Sequence, residues 1–365
     1  MRGRSFREMR LAPSALRATV TPMRHILKKT SRFLAPIIVA TGAIASLQAA
    51  ELNIYSHRHY GVDAELAKAF TEKTGIKVNV QSANADQLIE RIKSEGANSP
   101  ADLFVTVDVA RIQRLKADGL LQPVKSEVID TQIPAPFRDP EGYWIPYTIR
   151  ARIIVASKER VKAGEIETYE DLADPKWEGR LLIRSADSTY NQSLLASIIA
   201  ANGAEKATAW AKGVVKNMAR PPQGGDREQI KGVASGLADI AVTNTYYLGM
   251  LLNSKDPTER EAAKKVTAIF PNQEGRGTHF NVGAVGVLKS SKNVENAVKY
   301  LEFLLSPESQ KKIANGTYEF PANLDPSLSE IHQQWGKFKP DAETFPKLGE
   351  NLDAAVKIFD EAGWK

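Results

Sequence analysis

Two α/β lobes joined by extended strands is the fold class the sequence predicts. Three observations predict it. Strand-like and helix-like segments alternate from Leu52 onward, a second alternating block begins near Arg180, and two long stretches rich in β-branched residues connect the blocks. The length of 365 residues fits about two domains. With 42% hydrophobic and 25% charged residues, collagen-like and wholly disordered chains are excluded. The absence of cysteine excludes disulfide scaffolds, zinc fingers, iron–sulfur clusters and thiol nucleophiles.

The elements follow in order. Leu52–Ser56 is a short apolar strand, and Asp63–Thr74 sets Leu66, Ala67 and Phe70 at helical spacing until Gly75. Lys77–Val80 is a strand, Ala85–Ser94 a helix closed by Gly96, Asp102–Val107 a strand and Val109–Ala117 a helix. Three such βα units in a row argue for a mostly parallel sheet. The second block comprises strand Arg180–Arg184, helices near Asn191–Ala201 and Ala204–Asn217, strand Ala238–Thr243 and a further helix. Tyr143–Ala156 and Val266–Val287 are the extended segments between blocks, which makes a hinge a reasonable expectation.

The charge divides unevenly. Residues 1–50 hold nine of the 49 Lys and Arg and one of the 43 Asp and Glu, so residues 51–365, with 40 against 42, carry −2. The net +6 therefore belongs to the leader, and nucleic-acid binding loses its main support. Arg24–Arg32 is a basic stretch, Phe33–Leu47 an apolar run and Gln48-Ala49-Ala50 a small-residue close, the pattern of a secretory signal peptide with Met23 a natural start. The run is short for a membrane span, so residues from Glu51 onward are expected outside the cytoplasm.

The usual catalytic signatures are missing: there is no HExxH, GxSxG, phosphate loop with its lysine, or GxGxxG after a strand. His279 and His332 stand isolated and read as surface or loop residues. What stands out is tyrosine where strands hand over to helices, in Ser56–Gly61, Ser185–Gln192 and Thr243–Tyr247. In open α/β sheets ligands bind beyond the carboxyl ends of strands. The pair Tyr246-Tyr247 would diverge on a strand, but at a helix start behind Asn244 or Thr245 the two can converge. A helix N-terminus also favours a phenolate.

Several phenol oxygens suit neither a sugar, which wants flat aromatic faces and amides, nor an oxyanion, which wants N–H donors. Phenol ionises near pH 10, so phenolate at neutral pH needs a strong Lewis acid, and hard trivalent iron is one. Four phenolates and a neutral imidazole leave −1 around such an ion. Arg150 and Arg152, on the first extended segment, are candidates to offset it, or else form surface salt bridges flanking a buried strand.

These residues carry a resemblance. Asn53–Tyr60, Asp102–Asp108, Thr148–Arg152, Asp171–Gly179, Tyr190–Ser193 and Asn244–Gly249 resemble stretches of the periplasmic ferric-ion-binding proteins of ABC importers, and are most similar to the four-tyrosine branch typified by cyanobacterial iron-uptake proteins. The Asp-Leu-Ala-Asp-Pro-Lys-Trp stretch is common among binding proteins, whereas Asn-Thr-Tyr-Tyr together with His-Tyr at the first strand end is sharper. The resemblance implies a type II, transferrin-like two-lobed fold: signal peptide 1–50, an N-lobe of 51–148 with 272–316 returning to it, and a C-lobe of 149–271 with 317–365 packed mainly on it. It implies His59, Tyr60, Tyr190, Tyr246 and Tyr247 as ligands of Fe3+, the transported cargo, with Arg150 behind them. It further implies a monomeric, non-enzymatic periplasmic protein that hands iron to an inner-membrane permease and its ATPase. Tyr190 at the family's tyrosine position makes an added anion less necessary. Met250 and Leu251 are apolar where some relatives carry a charge, which leaves the source of compensating charge open. Capture of another solute, such as a polyamine or a phosphonate, is the alternative.

Overall fold

Glu51–Ser56, Lys77–Ser82 and Leu103–Thr106 are strands, and the helices Gly61–Thr74, Ala85–Glu95 and Val109–Ala117 follow them in turn. The computed structural model describes residues 50–58 and 60–365, so the leader through Ala49, and His59, lie outside the described residues. Glu51–Ser56 pairs in parallel with both of the other strands. Local chemistry sets the helix ends: the Asn84 side chain accepts from Asp86 N, Asp108 accepts from Arg111 N, and Gly75 takes the left-handed conformation that stops the first helix.

The paired strands run in the order Lys77–Ser82, Glu51–Ser56, Leu103–Thr106, Phe280–Leu288, Trp144–Ser157, Ile240–Asn244, Leu181–Leu182, two sheets joined through Trp144–Ser157. Trp144–Ser157 organises the molecule. All 14 of its residues are buried. From Trp144 to Ala151 it pairs antiparallel with Phe280–Leu288, and from Arg152 to Ala156 it pairs with Ile240–Asn244. Ile154–Ser157 also pairs with Val266–Ile269. One strand therefore serves two sheets, each with its own helices, and the handover falls between Ala151 and Arg152. That is a two-lobed α/β architecture. Past the handover its side chains alternate between two cores, as strand geometry requires: Ile154 and Ala156 face one, Ile153 and Val155 the other.

The C-terminal third returns to both halves. Pro307–Thr317 packs on Gly61–Thr74, whereas Leu348–Ala362 packs on Thr189–Asn202 and Ala204–Asn217 and touches Val109–Ala117. One element is shorter than expected: the strand over Arg180–Arg184 is reduced to Leu181–Leu182. The Arg184 carbonyl is taken by Asn191 Nδ2 and Trp364 Nε1, and Ala186 N donates to the Lys365 carbonyl, so side chains and the chain terminus replace the ladder there.

Gly277, just before Phe280–Leu288, has φ +101, and a Cβ there would lie 2.6 Å from the Lys339 carbonyl oxygen and 2.8 Å from Pro340 C. Both neighbours are backbone and cannot rotate away. Gly277→Ala is expected to lower the unfolding free energy by about 2 kcal/mol or more. Urea denaturation at neutral pH measures it; an unchanged midpoint would contradict the packing described.

Candidate metal centre

Three helix N-termini carry the four tyrosines. Tyr60 is the residue before Gly61–Thr74, Tyr190 is the second residue of Thr189–Asn202, and Tyr246 and Tyr247 are the second and third of Thr245–Leu252. The expectation that the pair opens a helix holds, with Asn244 in the capping position and extended in backbone. Tyr60 N donates to Asp63 Oδ2 at 3.2 Å, fixing the first helix entry.

The tyrosines come together from both halves of the chain. Tyr246 OH donates to Tyr190 OH at 3.0 Å, and the Tyr246 and Tyr247 rings lie 4.2 Å apart between centroids. Burial pushes the Tyr60 phenol well above its ordinary pKa, with further contributions from Glu319 and Tyr190. Burial does the same to Tyr246 and Tyr247, and each of the two also feels Tyr190 and Tyr60. The Tyr190 and Tyr246 oxygens are in contact, and charge on any of the four phenols would oppose charge on the others unless a cation sat among them. Among the described residues no cluster of three or more His, Cys, Asp or Glu could hold a metal.

Arginines surround it. Arg150 and Arg152, expected from the sequence, flank the handover of the crossing strand and are 1% and 2% exposed. Arg150 Nη1 donates to the Val107 carbonyl at 2.6 Å, its Nε lies 3.3 Å from Glu319 Oε1, and its charge acts on Tyr190 and Tyr246. Arg152 donates to Asp226, to Asn244 Oδ1 at 3.2 Å and to Asn191 Oδ1 at 2.8 Å, and its guanidinium carbon lies 5.8 Å from the Tyr190 ring centre. They are buried ion pairs beside the cluster, not surface salt bridges.

Sequence reasoning missed two more arginines. Arg58 lies 4.5 Å from the Tyr60 ring centre and donates to Glu319 Oε2 at 2.5 Å and Asp63 Oδ1 at 3.0 Å. Arg184 lies 5.7 Å from the Tyr190 ring centre and donates to Asp226 Oδ2 at 3.0 Å. These strand ends place positive charge beside the tyrosines, where Met250 and Leu251 supply none. The only local signal was position: Arg58 and Arg184 sit in the same strand-to-helix turns as Tyr60 and Tyr190. On the Tyr60 side a cavity of 280 Å³, lined by Arg58, Asp63, Tyr147 and Tyr300 among others, stops short of Tyr190 and the adjacent pair.

The two isolated histidines are corrected. His279 and His332 are 3% and 0% exposed, so neither is a surface residue; His279 does lie in the loop just before Phe280–Leu288, whereas His332 lies on the helix Glu330–Trp335. Burial, with Arg152 and Arg276 nearby, lowers His279 to about 3, and burial lowers His332 to about 4 while its Nε2 lies 3.1 Å from the Tyr318 carbonyl. Each is a neutral core ring. His332 stacks on Phe320 at 4.3 Å, apolar packing that residue type alone does not reveal.

A two-lobed α/β chain whose lobes share a crossing strand, with tyrosines and arginines gathered near its handover, is the architecture of a solute-binding protein. The family model for bacterial extracellular solute-binding proteins matches residues 65–340, and the chain belongs to that family. Among its relatives, iron uptake protein A1 of Synechocystis sp. is 52% identical over 315 residues, covering 86% of this chain and 88% of that protein. A Trichodesmium structure in complex with iron and citrate superposes with a TM-score of 0.81 at 47% identity, covering 86% of this chain and all of the other. A ferric binding protein from Campylobacter jejuni does so with a TM-score of 0.81 at 48% identity and the same coverage.

Proposed function

We propose that the protein captures one ferric ion between its lobes and delivers it to an inner-membrane ABC permease for uptake. The observation that carries this reading is the convergence of Tyr60, Tyr190, Tyr246 and Tyr247 from three helix N-termini. Helix dipoles favour anionic oxygen at those positions, and the surrounding guanidiniums offset the charge of the phenolates. His59, next to Tyr60 in the chain, completes the proposed ligand set. The relatives named above include proteins whose names state iron uptake and ferric binding.

Capture follows from where the ligands are carried. Tyr60 precedes the crossing strand, and the other three follow it. The N-lobe is proposed as 51–148 with 272–316, and the C-lobe as 149–271 with 317–365, the boundary falling beside the strand handover. Lobe closure then brings the ligands together, and opening at the permease releases the cargo. Phenolates that fill the coordination sphere hold a metal without activating water, so no catalytic role is proposed. The leader pattern supports a periplasmic carrier, which we read as acting as a monomer.

The test is metal analysis of purified apo protein after incubation with a ferric chelate and gel filtration. The expected result is one iron per chain, undiminished by excess spermidine or a simple phosphonate. Iron far below one per chain, or displaced by either solute, would sink the reading.

A further inference from the structure

We infer that two buried carboxylates, Glu319 and Asp226, each bridging a pair of arginines beside the tyrosine cluster, make the site prefer ferric over ferrous iron. The inference rests on the ferric reading above. On the Tyr60 side Glu319 joins Arg58 and Arg150; on the Tyr190 side Asp226 joins Arg152 and Arg184. Both carboxylates are 1% exposed. Buried ion groups of this kind are weak sources of stability, since well-packed apolar residues often do as well. Their arrangement around one cluster calls for another account.

The chain strains to deliver Glu319. Tyr318 holds φ 60, a left-handed conformation costly for a bulky side chain. Its ring packs where a Cβ on Gly249 would lie 2.7 Å from Tyr318 Cβ, on the helix that carries Tyr246 and Tyr247. Phe320 then pairs with Ile149, which sets Glu319 beside Arg150. The fields of both carboxylates reach the ligands: Glu319 opposes ionisation of Tyr60, and Asp226 opposes that of Tyr247.

Charge counting gives the sign. Four phenolates and a neutral imidazole leave −1 around ferric iron and −2 around ferrous iron. A nearby negative charge disfavours the second complex about twice as much as the first. The arginines alone would favour the more negative, ferrous complex. Each bridging carboxylate cancels one of its two arginines, with Asp63 further offsetting Arg58 on the Tyr60 side, and so restores the ferric preference. It also holds the two guanidiniums in place, which keeps the charge next to the rings.

The experiment is a reductive titration of the iron-loaded full chain with mediators, in which bound iron takes one electron from the chemical reductant and the charge-transfer colour bleaches. Glu319→Gln and Asp226→Asn should each raise the ferrous-to-ferric affinity ratio by about tenfold or more, read as a midpoint at least 59 mV higher. Glu319→Asp, which keeps the charge, should stay within that margin of the unaltered protein. A loss of packing alone would lower iron occupancy without this ordering. Should Glu319→Gln fail to fold, Asp226→Asn on the opposite side is judged by the same criterion. Coloured variants with an unchanged midpoint overturn the inference alone. An unaltered chain that takes up no coloured iron overturns the ferric reading along with it.

Discussion

Tyr246→Phe should lower ferric-iron affinity by more than about a hundredfold, the upper end of what losing a group behind a metal ligand costs. The substitution removes one anionic oxygen and keeps the ring, which is 1% exposed and lies against Tyr247. The fold loses the hydrogen bond to Tyr190, worth about 1 kcal/mol, and the hydroxyl's contact with Tyr247. Tyr247→Phe should behave alike. Tyr143→Phe is the control, because that ring sits by Lys116 Nζ, 5.0 Å from its centre, away from the cluster. Competition titration against a ferric chelator reads the affinities, and thermal unfolding confirms that all three variants remain folded. Pair variants that bind as well as the control would remove Tyr246 and Tyr247 from the site.

Acidification should release the iron steeply. Burial raises the phenols of Tyr60, Tyr246 and Tyr247 above their usual range, so the metal-free protein keeps those protons throughout the neutral and acidic range. At least three protons therefore leave as one ferric ion enters, and affinity falls as pH falls, by about a thousandfold per pH unit. His279 and His332, at about 3 and about 4, stay neutral between pH 5 and 8 and add nothing there. Affinities at pH 7 and pH 6, corrected for protonation of the competing chelator, give the slope. A change of tenfold or less would contradict a phenolate site.

Much of the architecture was legible because it rests on local periodicity. Val109–Ala117 and Ala204–Asn217 fall where the spacing of apolar residues puts them, and the Tyr-Tyr pair opens a helix as neighbouring side chains bound for one ligand require. The crossing strand was readable as extended from its β-branched run. That its first half pairs with Phe280–Leu288 and its second with Ile240–Asn244 was not, since pairing partners leave no mark on the strand itself. The same holds for the charge around the site. Glu319 meets Arg58 across 261 positions, and Asp226 looks in sequence like an ordinary acidic first-turn residue after Gly224-Gly225. Histidine burial was invisible for a similar reason: what neutralises His332 is burial against Phe320 and Trp335, brought together only by the fold, and it outweighs the Tyr318 carbonyl, which favours the protonated ring.

The visible spectrum during titration of the apo protein with ferric iron tests the central claim most directly. Phenolate bound to ferric iron produces a ligand-to-metal charge-transfer band that the metal-free protein lacks. The account predicts an orange to purple-red protein whose band grows linearly and stops at one equivalent of iron. Stoichiometric iron binding without a visible band would contradict it, because the metal would then be held by something other than these tyrosines.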